Sequence, residues 1–487
     1  MQSGGLTLRA GTEAPAGTRP GISQARGYLP TVVLVYLILL LIPATVGAGS
    51  FALTGPRLLL MALFIPMMSD LFSGKYGRVY PVDYLFFLSM AWAALALAIN
   101  NPDQVIQNTG STAAEFLGGY MLGRAYIRSP QAFVGLIRAV FIIVLVSIPF
   151  GLIEMKTDIA VLPALFRKIP GFQAWADVAY EPRSGFYRAQ VFFSHPIHQG
   201  LFCSLIFSLV FVGLKGIDTL NQRIIKAAVV GFGTFMAMSS GPLLSIILQV
   251  GLMAWAFIFR KINARWWLLL GLFVLMYIVI DLLSNRTPTK VLMTYATFSP
   301  QTAYYRAIIN EWGMFNVGQH PIFGLGFNDW VRPAYMQRGS VDNFWLVVAM
   351  RYGIPGFLLL AWGYADAVFR VGLAKTPDGT TVHNLRQAWT ITMVGMSFVL
   401  YTVHVWTSIY SFIFFLVGAA LWMPDWVRNQ RANGGGAEPA PADGEAAPRP
   451  GILYTRGAPA PSLREAERRR IDDANEEPRE DPLVLSR

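Results

Sequence analysis

An all-α polytopic membrane protein of about twelve transmembrane helices, capped on its outer side by two long loops, is the fold class this sequence predicts. Three observations carry that expectation. The chain is 54% hydrophobic and only 14% charged, whereas soluble chains run near about 45–50% and about 25%. Uncharged apolar runs of roughly 17 residues or more recur, enough at about 1.5 Å per residue to cross a hydrocarbon core of about 30 Å. The Lys and Arg residues collect in short loops on alternate sides of those runs, which is how membrane orientation is written in a sequence.

Residues 1–27, with Arg9, Arg19 and Arg26 among Gly, Ala, Pro and Thr, predict a disordered cytoplasmic arm. The apolar runs follow at about 28–46, 54–69, 82–99, 112–127, 131–152, 196–214, 224–240, 243–259, 266–283, 354–370, 388–403 and 405–423. The fourth is the weakest, because Glu115 and Arg124 lie in or beside it. With the amino terminus inside, the inner loops carry Lys75 and Arg78, then Arg124 and Arg128, then Lys215, Arg223 and Lys226. Arg260, Lys261 and Arg265 come next, then Arg370, Lys375 and Arg386, while Arg57 is the one exception on the outer side. Both termini are therefore expected in the cytoplasm. Residues 28–426 form a membrane domain with outer loops at about 153–194 and 284–353, and 427–487 predict a disordered cytoplasmic tail, with a short helix over 462–474.

A net charge of +11 would raise nucleic acid as a partner in a soluble protein, but here the basic residues are explained by topology, so no nucleic acid is expected. The single cysteine, Cys203, allows no intrachain disulfide. The first apolar run is too long for a signal-peptide core and is followed by no convincing cleavage site. There is no internal repeat and no Gly-rich nucleotide loop. His195 and His198 lack the spacing of a zinc-protease helix and Pro196 separates them, so neither metal nor cofactor is expected.

The polar residues without a topogenic explanation sit in the two outer loops. The first ends in Glu181-Pro-Arg183-Ser-Gly-Phe-Tyr-Arg188, followed by His195-Pro-Ile-His198. Arginines among aromatics directly before a span suit an anionic headgroup, because a guanidinium meets phosphate oxygens with paired N–H donors. Interface anchoring by Arg and Tyr is the other reading. The second loop runs through Arg306, Glu311 and Trp312, then His320-Pro-Ile-Phe-Gly324-Leu-Gly326-Phe327, Asp342-Asn343 and Arg351-Tyr-Gly353-Ile-Pro355-Gly356. Arg306 to Trp312 has helical spacing and could lie on the membrane as an amphipathic helix. Gly324 and Gly326 mark a turn with positive φ or a close approach of the backbone. Asp342 suits a helix cap, and the Gly353 break places a short interfacial helix over 343–352 before the next span, sparing Arg351 a place deep in lipid.

Taken in this order, Arg188 with His195-Pro, Arg306 with Trp312, the His320 run, Asp342-Asn343 and the Gly353-Ile-Pro-Gly break resemble the O-antigen ligase/polymerase superfamily. These are the Wzy-type polysaccharide polymerases and their lipid A–core ligase relatives. The likeness covers the membrane domain, including span number, orientation and the large loop before the tenth span, and leaves out the tail. It implies a metal-independent inverting glycosyltransferase in the bacterial inner membrane, with no cofactor. The partners it implies are a glycan on undecaprenyl diphosphate as donor, a polysaccharide acceptor, membrane lipid, and a chain-length regulator or export machinery. By residue matching, Arg188 and Arg306 hold the diphosphate. Fixed guanidinium groups would stabilise the negative charge that develops as the diphosphate departs.

The ligases carry His-Asn where this chain has Asp342-Asn343. A carboxylate can also act as general base toward a sugar hydroxyl, so Asp342 is either that base or a helix cap, and the difference favours a polymerase over a ligase. Arg183, His195, Glu311, His320 and Arg351 are the expected substrate-binding residues. Glu311 could instead pair with Arg306, and Arg286, Arg332 and Arg338 could line the same groove or merely solvate the cap. His404 reads as structural, and Trp312, Trp330, Phe344 and Trp345 as interface anchors or sugar-stacking rings. The rival from another class is a transporter or flippase of the same lipid-linked oligosaccharide, which would be expected to show repeat symmetry and buried mid-membrane charge.

Overall fold

In a bilayer core no water is present to satisfy backbone N–H and C=O groups, so each apolar run must close its hydrogen bonds within itself as a helix. The computed structural model describes residues 27–47, 53–176, 182–262, 264–285, 287–288, 291, 300–336 and 339–432, and these are overwhelmingly helical. In chain order the principal helices are α1 (Thr31–Leu40), α2 (Gly55–Phe72), α3 (Pro81–Asn100), α4 (Val105–Ala113), α5 (Gly119–Tyr126) and α6 (Pro130–Thr157). Then come α7 (Val161–Phe166), α8 (Pro196–Ser204), α9 (Leu220–Phe235), α10 (Ser240–Ile258) and α11 (Arg265–Leu283). The last are α12 (Pro300–Gln319), α13 (Phe344–Gly372), α14 (Thr381–Val399), α15 (Thr407–Gly418) and α16 (Trp422–Ala432).

Among the described residues, eight segments are long and apolar enough to cross a membrane: α2, α3, α6, α8 extended to Gly213, α10, α11, α13 and the stretch Thr407–Ala432. The other four runs expected from the sequence coincide with α1, α4–α5, α9 and α14, which are shorter or more polar. The protein is an all-α membrane protein. The expected arm lies outside the described residues but for Gly27, as does the tail beyond Ala432, although α16 carries the helix past Trp426.

The weakest run is explained by pairing. Arg124 on α5 and Asp83 on α3 are both fully buried and meet at 3.4 Å, and Arg124 also donates to the Tyr76 carbonyl at 3.2 Å. Glu115 lies in a π turn, Ala114–Gly118, and accepts from Arg57 at 2.6 Å. Each charge therefore has the partner that burial demands, and removing one member of such a pair costs about 3–5 kcal/mol. A second π turn, Leu209–Gly213, follows α8, and Gln249 of α10 meets the backbone just before it. The Gln249 amide oxygen accepts from the Ser208 N–H at 3.0 Å and from its hydroxyl at 2.7 Å.

At the end of the bundle where the two long loops lie, a small antiparallel sheet ties the first loop down. Strand β1 (Ala44–Val46) pairs with β2 (Leu53–Thr54) and with β3 (Phe172–Ala174), so Thr45 faces both Thr54 and Gln173. The helix containing Arg306 differs from expectation. Rather than offering its apolar face to lipid, α12 buries Ile309 and Val317 in a cluster with Trp330, Leu346 and Met350. Leu346, Ala349 and Met350 of α13 supply the apolar surface it packs against.

Candidate active site

The frame of the site is a break in α13. Gly353 has φ 72° and ψ 178°, which divides a short helix over 344–352 from the span that follows. Helix ends leave carbonyls without intrahelical donors, and here the second loop supplies them. Leu325 N–H donates to the Met350 carbonyl at 2.7 Å, and Gly326 N–H to the Arg351 carbonyl at 3.0 Å. Ile354 N–H in turn donates to the Pro321 carbonyl at 2.8 Å. The His320 run and the Gly-Ile-Pro-Gly break are thus two halves of one junction. A Cβ on Gly353 would lie 2.0 Å from the Ile322 carbonyl oxygen. Gly353→Ala is therefore expected to lower stability by about 2–4 kcal/mol through left-handed strain and overpacking, seen as a lower melting temperature in detergent; an unchanged value would mean the junction is loose.

The cap of that short helix is Asn343, whose Oδ1 accepts from Leu346 N–H at 3.1 Å. This corrects the capping alternative for Asp342: the preceding residue is left exposed on the wall of a cavity of about 540 Å³. Asp342 shares that cavity with His195, Arg351, His404, Trp406 and Trp330. Phe344 N–H donates to the Leu400 carbonyl at 2.8 Å, which draws the α14–α15 turn, with His404 and Trp406, to the same place.

His195 caps α8, its Nδ1 accepting from Ile197 N–H at 3.0 Å. Burial, reinforced by the charges of Arg188 and Arg183, pushes its pKa down to about 4. A neutral ring that accepts at Nδ1 carries its proton on Nε2. Burial, then the Arg351 charge, pushes His404 down to about 3, so both imidazoles are neutral at pH 7. Trp406 stands between them, its ring centroid 5.7 Å from each, and His198 meets its ring edge-on at 4.0 Å.

The arginines approach from both loops. Arg188 is buried and donates from Nε to the Ala237 carbonyl at 3.3 Å; Arg183 donates from Nη1 to the Met238 carbonyl at 2.7 Å. The segment between Arg188 and His195 turns sharply, with Val191 at φ 49°, and both oxygens of Glu154 accept backbone N–H groups there, from Gln190 and Val191, at 3.0 Å. Arg306 is only 7% exposed, and its Nε and Nη1 are buried without a hydrogen-bond partner. Burial lowers its pKa; the Asp342 carboxylate opposes that shift and Arg183 adds to it. Arg306 therefore lies within electrostatic reach of Asp342 and Arg183, and His195 within reach of Arg183 and Arg188. Arg351 rests 4.8 Å over the Phe327 ring on the cavity wall.

The structure does not bring every expected residue together. Glu311 is exposed and its charge bears on Tyr335, and His320 is exposed in the turn after α12; neither lines the cavity. Arg332 pairs with Asp329, and Arg286, Arg338 and Glu181 lie outside the described residues. Of the aromatic candidates, Trp330 reaches the cavity, whereas Trp345 faces a separate apolar groove of about 650 Å³ with Phe273, Tyr277, Phe398 and Tyr401. Trp406 and the cavity position of His404 were not legible in the sequence, where they read as an ordinary span end.

Residues 225–361 match the family model described as O-Antigen ligase. That stretch holds Arg306, Asp342, the Gly353 junction and Arg351, whereas Arg188, His195 and His404 fall outside it. No curated protein matches the chain. Over residues 225–361, a stretch short of half the chain, this helical membrane protein is therefore similar to the O-antigen ligase family.

Proposed function

We propose that the protein is a polysaccharide polymerase, an inverting and metal-independent glycosyltransferase acting at the outer face of the bacterial inner membrane, with both termini cytoplasmic. Its donor is a glycan repeat on undecaprenyl diphosphate, and its acceptor is another repeat or a growing chain. The observation that carries the reading is Arg306, a buried guanidinium with two unpartnered nitrogens, within electrostatic reach of a cavity carboxylate, Asp342. Buried donors without protein partners are rare in folded proteins, and a guanidinium with such donors is suited to receive an anion.

The chemistry is one displacement. Asp342 removes the proton of the acceptor hydroxyl; that oxygen bonds to the anomeric carbon as the carbon–oxygen bond to the diphosphate breaks. The leaving diphosphate gains negative charge, which Arg306, Arg188 and Arg183 stabilise in place. Protonated guanidinium groups can serve here because they need no reorganisation at the moment of reaction. The apolar groove beside Trp345 suits the polyprenyl chain, since Tyr401 on its wall donates to Asn310 at 3.3 Å, on the same helix as Arg306. The Asp342-Asn343 pair, in place of the ligases' His-Asn, favours the polymerase over a ligase.

The test uses purified protein and a lipid-diphosphate-linked oligosaccharide, with product length followed on a gel. A ladder of added repeats is the expected result. A single addition onto a lipid A core instead would make the protein a ligase. No transfer, with substrate crossing the bilayer of proteoliposomes, would reject the enzyme and favour a flippase.

A further inference from the structure

The second half of α3 and its C-cap grip the second loop through three side chains, and the last of them, Asn101, meets residues that line the cavity. Trp92 donates from Nε1 to the Tyr352 carbonyl at 2.9 Å and stacks on Phe323, ring centroids 5.5 Å apart and 11° from parallel. Asn100 donates from Nδ2 to the Phe323 carbonyl at 3.2 Å. Asn101 uses both ends of its amide: Oδ1 accepts from Phe327 N–H at 2.8 Å, and Nδ2 donates to Asn328 Oδ1 at 3.1 Å. The approach is so close that a Cβ on Gly326 would lie 2.1 Å from Asn101 Oδ1.

Asn101 is itself anchored, its N–H donating to the Leu97 carbonyl at 2.7 Å. The contact therefore ties the wall to a spanning helix rather than to another loop. Phe327 and Asn328 both line the cavity that holds Asp342, and Phe327 carries the Arg351 guanidinium on its ring face. Arg306 and Arg188 do not line this cavity. The wall thus lies on the side of the proposed base rather than of the leaving group.

We propose that Asn101 is a positioning residue for the acceptor glycan. It fixes the Phe327–Asn328 wall, and through Phe327 the Arg351 side chain, against which an acceptor sugar is held for Asp342. This role rests on the transferase reading above.

The experiment gives purified full-length protein a saturating lipid-diphosphate-linked oligosaccharide donor and varies a fluorescently tagged oligosaccharide of the same repeat as acceptor. Asn101→Ala is expected to raise the acceptor KM about five- to tenfold, the scale of one or two lost hydrogen bonds, with kcat changed less than about twofold. Asn101→Asp keeps an oxygen for the Phe327 N–H, and Asn328 can turn its amide to donate to the other carboxylate oxygen. That variant should return KM to within about twofold of the wild type. Asn328→Ala, which leaves α3 untouched, should raise KM about threefold, and it decides the question if Asn101→Ala does not fold. An unchanged KM, a loss confined to kcat, or an Asp variant no better than Ala would overturn the role. No transfer by the wild-type protein would overturn the transferase reading, and the role of Asn101 with it.

Discussion

Arg306→Met is expected to reduce transfer about 10²–10³-fold, the loss seen when one fixed donor to a developing anion is removed, while leaving the melting temperature unchanged or raised. The two halves of that result have one cause. The Nε and Nη1 of Arg306 are buried without protein partners, and each unsatisfied buried donor costs about 1–3 kcal/mol. Burial already lowers its pKa, with Asp342 only partly offsetting that and Arg183 adding to it. Methionine fills a similar volume and removes the unsatisfied donors, so stability gains where function is lost. Arg306→Lys should fall between the two, keeping the charge but losing the planar fork. Paired measurements of turnover and of thermal melting in detergent check this. Full activity in Arg306→Met would mean that the guanidinium holds no leaving group, and a large drop in melting temperature would mean that it is structural.

Asp342→Asn is expected to lower kcat about 10²–10⁴-fold, the range for a positioned general base, with only a small loss of stability, from the carboxylate that partly offsets the burial of the Arg306 charge. The cap of the short helix is Asn343, which accepts from Leu346 N–H, so the neighbouring carboxylate carries no capping bond that asparagine would weaken. Asn343→Ala is the control: loss of a cap costs about 1 kcal/mol, and it should lower the melting temperature at unchanged chemistry per folded molecule. Asp342→His restores the residue type that the resembling ligases carry at this place, and should retain more activity than Asp342→Asn. Turnover by Asp342→Asn at the wild-type rate would remove Asp342 from the mechanism and leave His195 or His404, neutral in the same cavity, as the group to test next.

Much of the site was legible one residue at a time. Arg188, Arg306 and Asp342 were singled out because their residue types and order resemble a known pattern; Gly324 and Gly326 do have positive φ as expected, and the break expected at Gly353 is there, made by a positive φ that the sequence had not suggested. Glu311 was singled out for its place beside Arg306 and His320 for its place in the same order of motifs, and both are exposed and do not line the cavity. Helical spacing fixes which residues share a face; it does not say which face meets the rest of the protein. For α12 that choice was made by Leu346 and Met350, far along the chain. His404, Trp406 and Asn101 carried no signal at all, since each sits at a span end where a polar or aromatic residue is ordinary.

What the sequence determined by itself was the membrane class, the approximate position of the apolar helices and the existence of two polar loops between them. Lipid enforces those features locally: an uncharged run must become a helix to satisfy its own backbone, and a charge must leave it or find a partner. What only the tertiary structure decided was which partner and which cavity. Arg124 is tolerated because Asp83 of another helix meets it, and Asp342 shares its cavity with His404 and Trp406 because the turn after α14 bonds to Phe344. Contacts between residues so far apart in the chain follow from packing of several helices at once, and no period or spacing in the sequence encodes them.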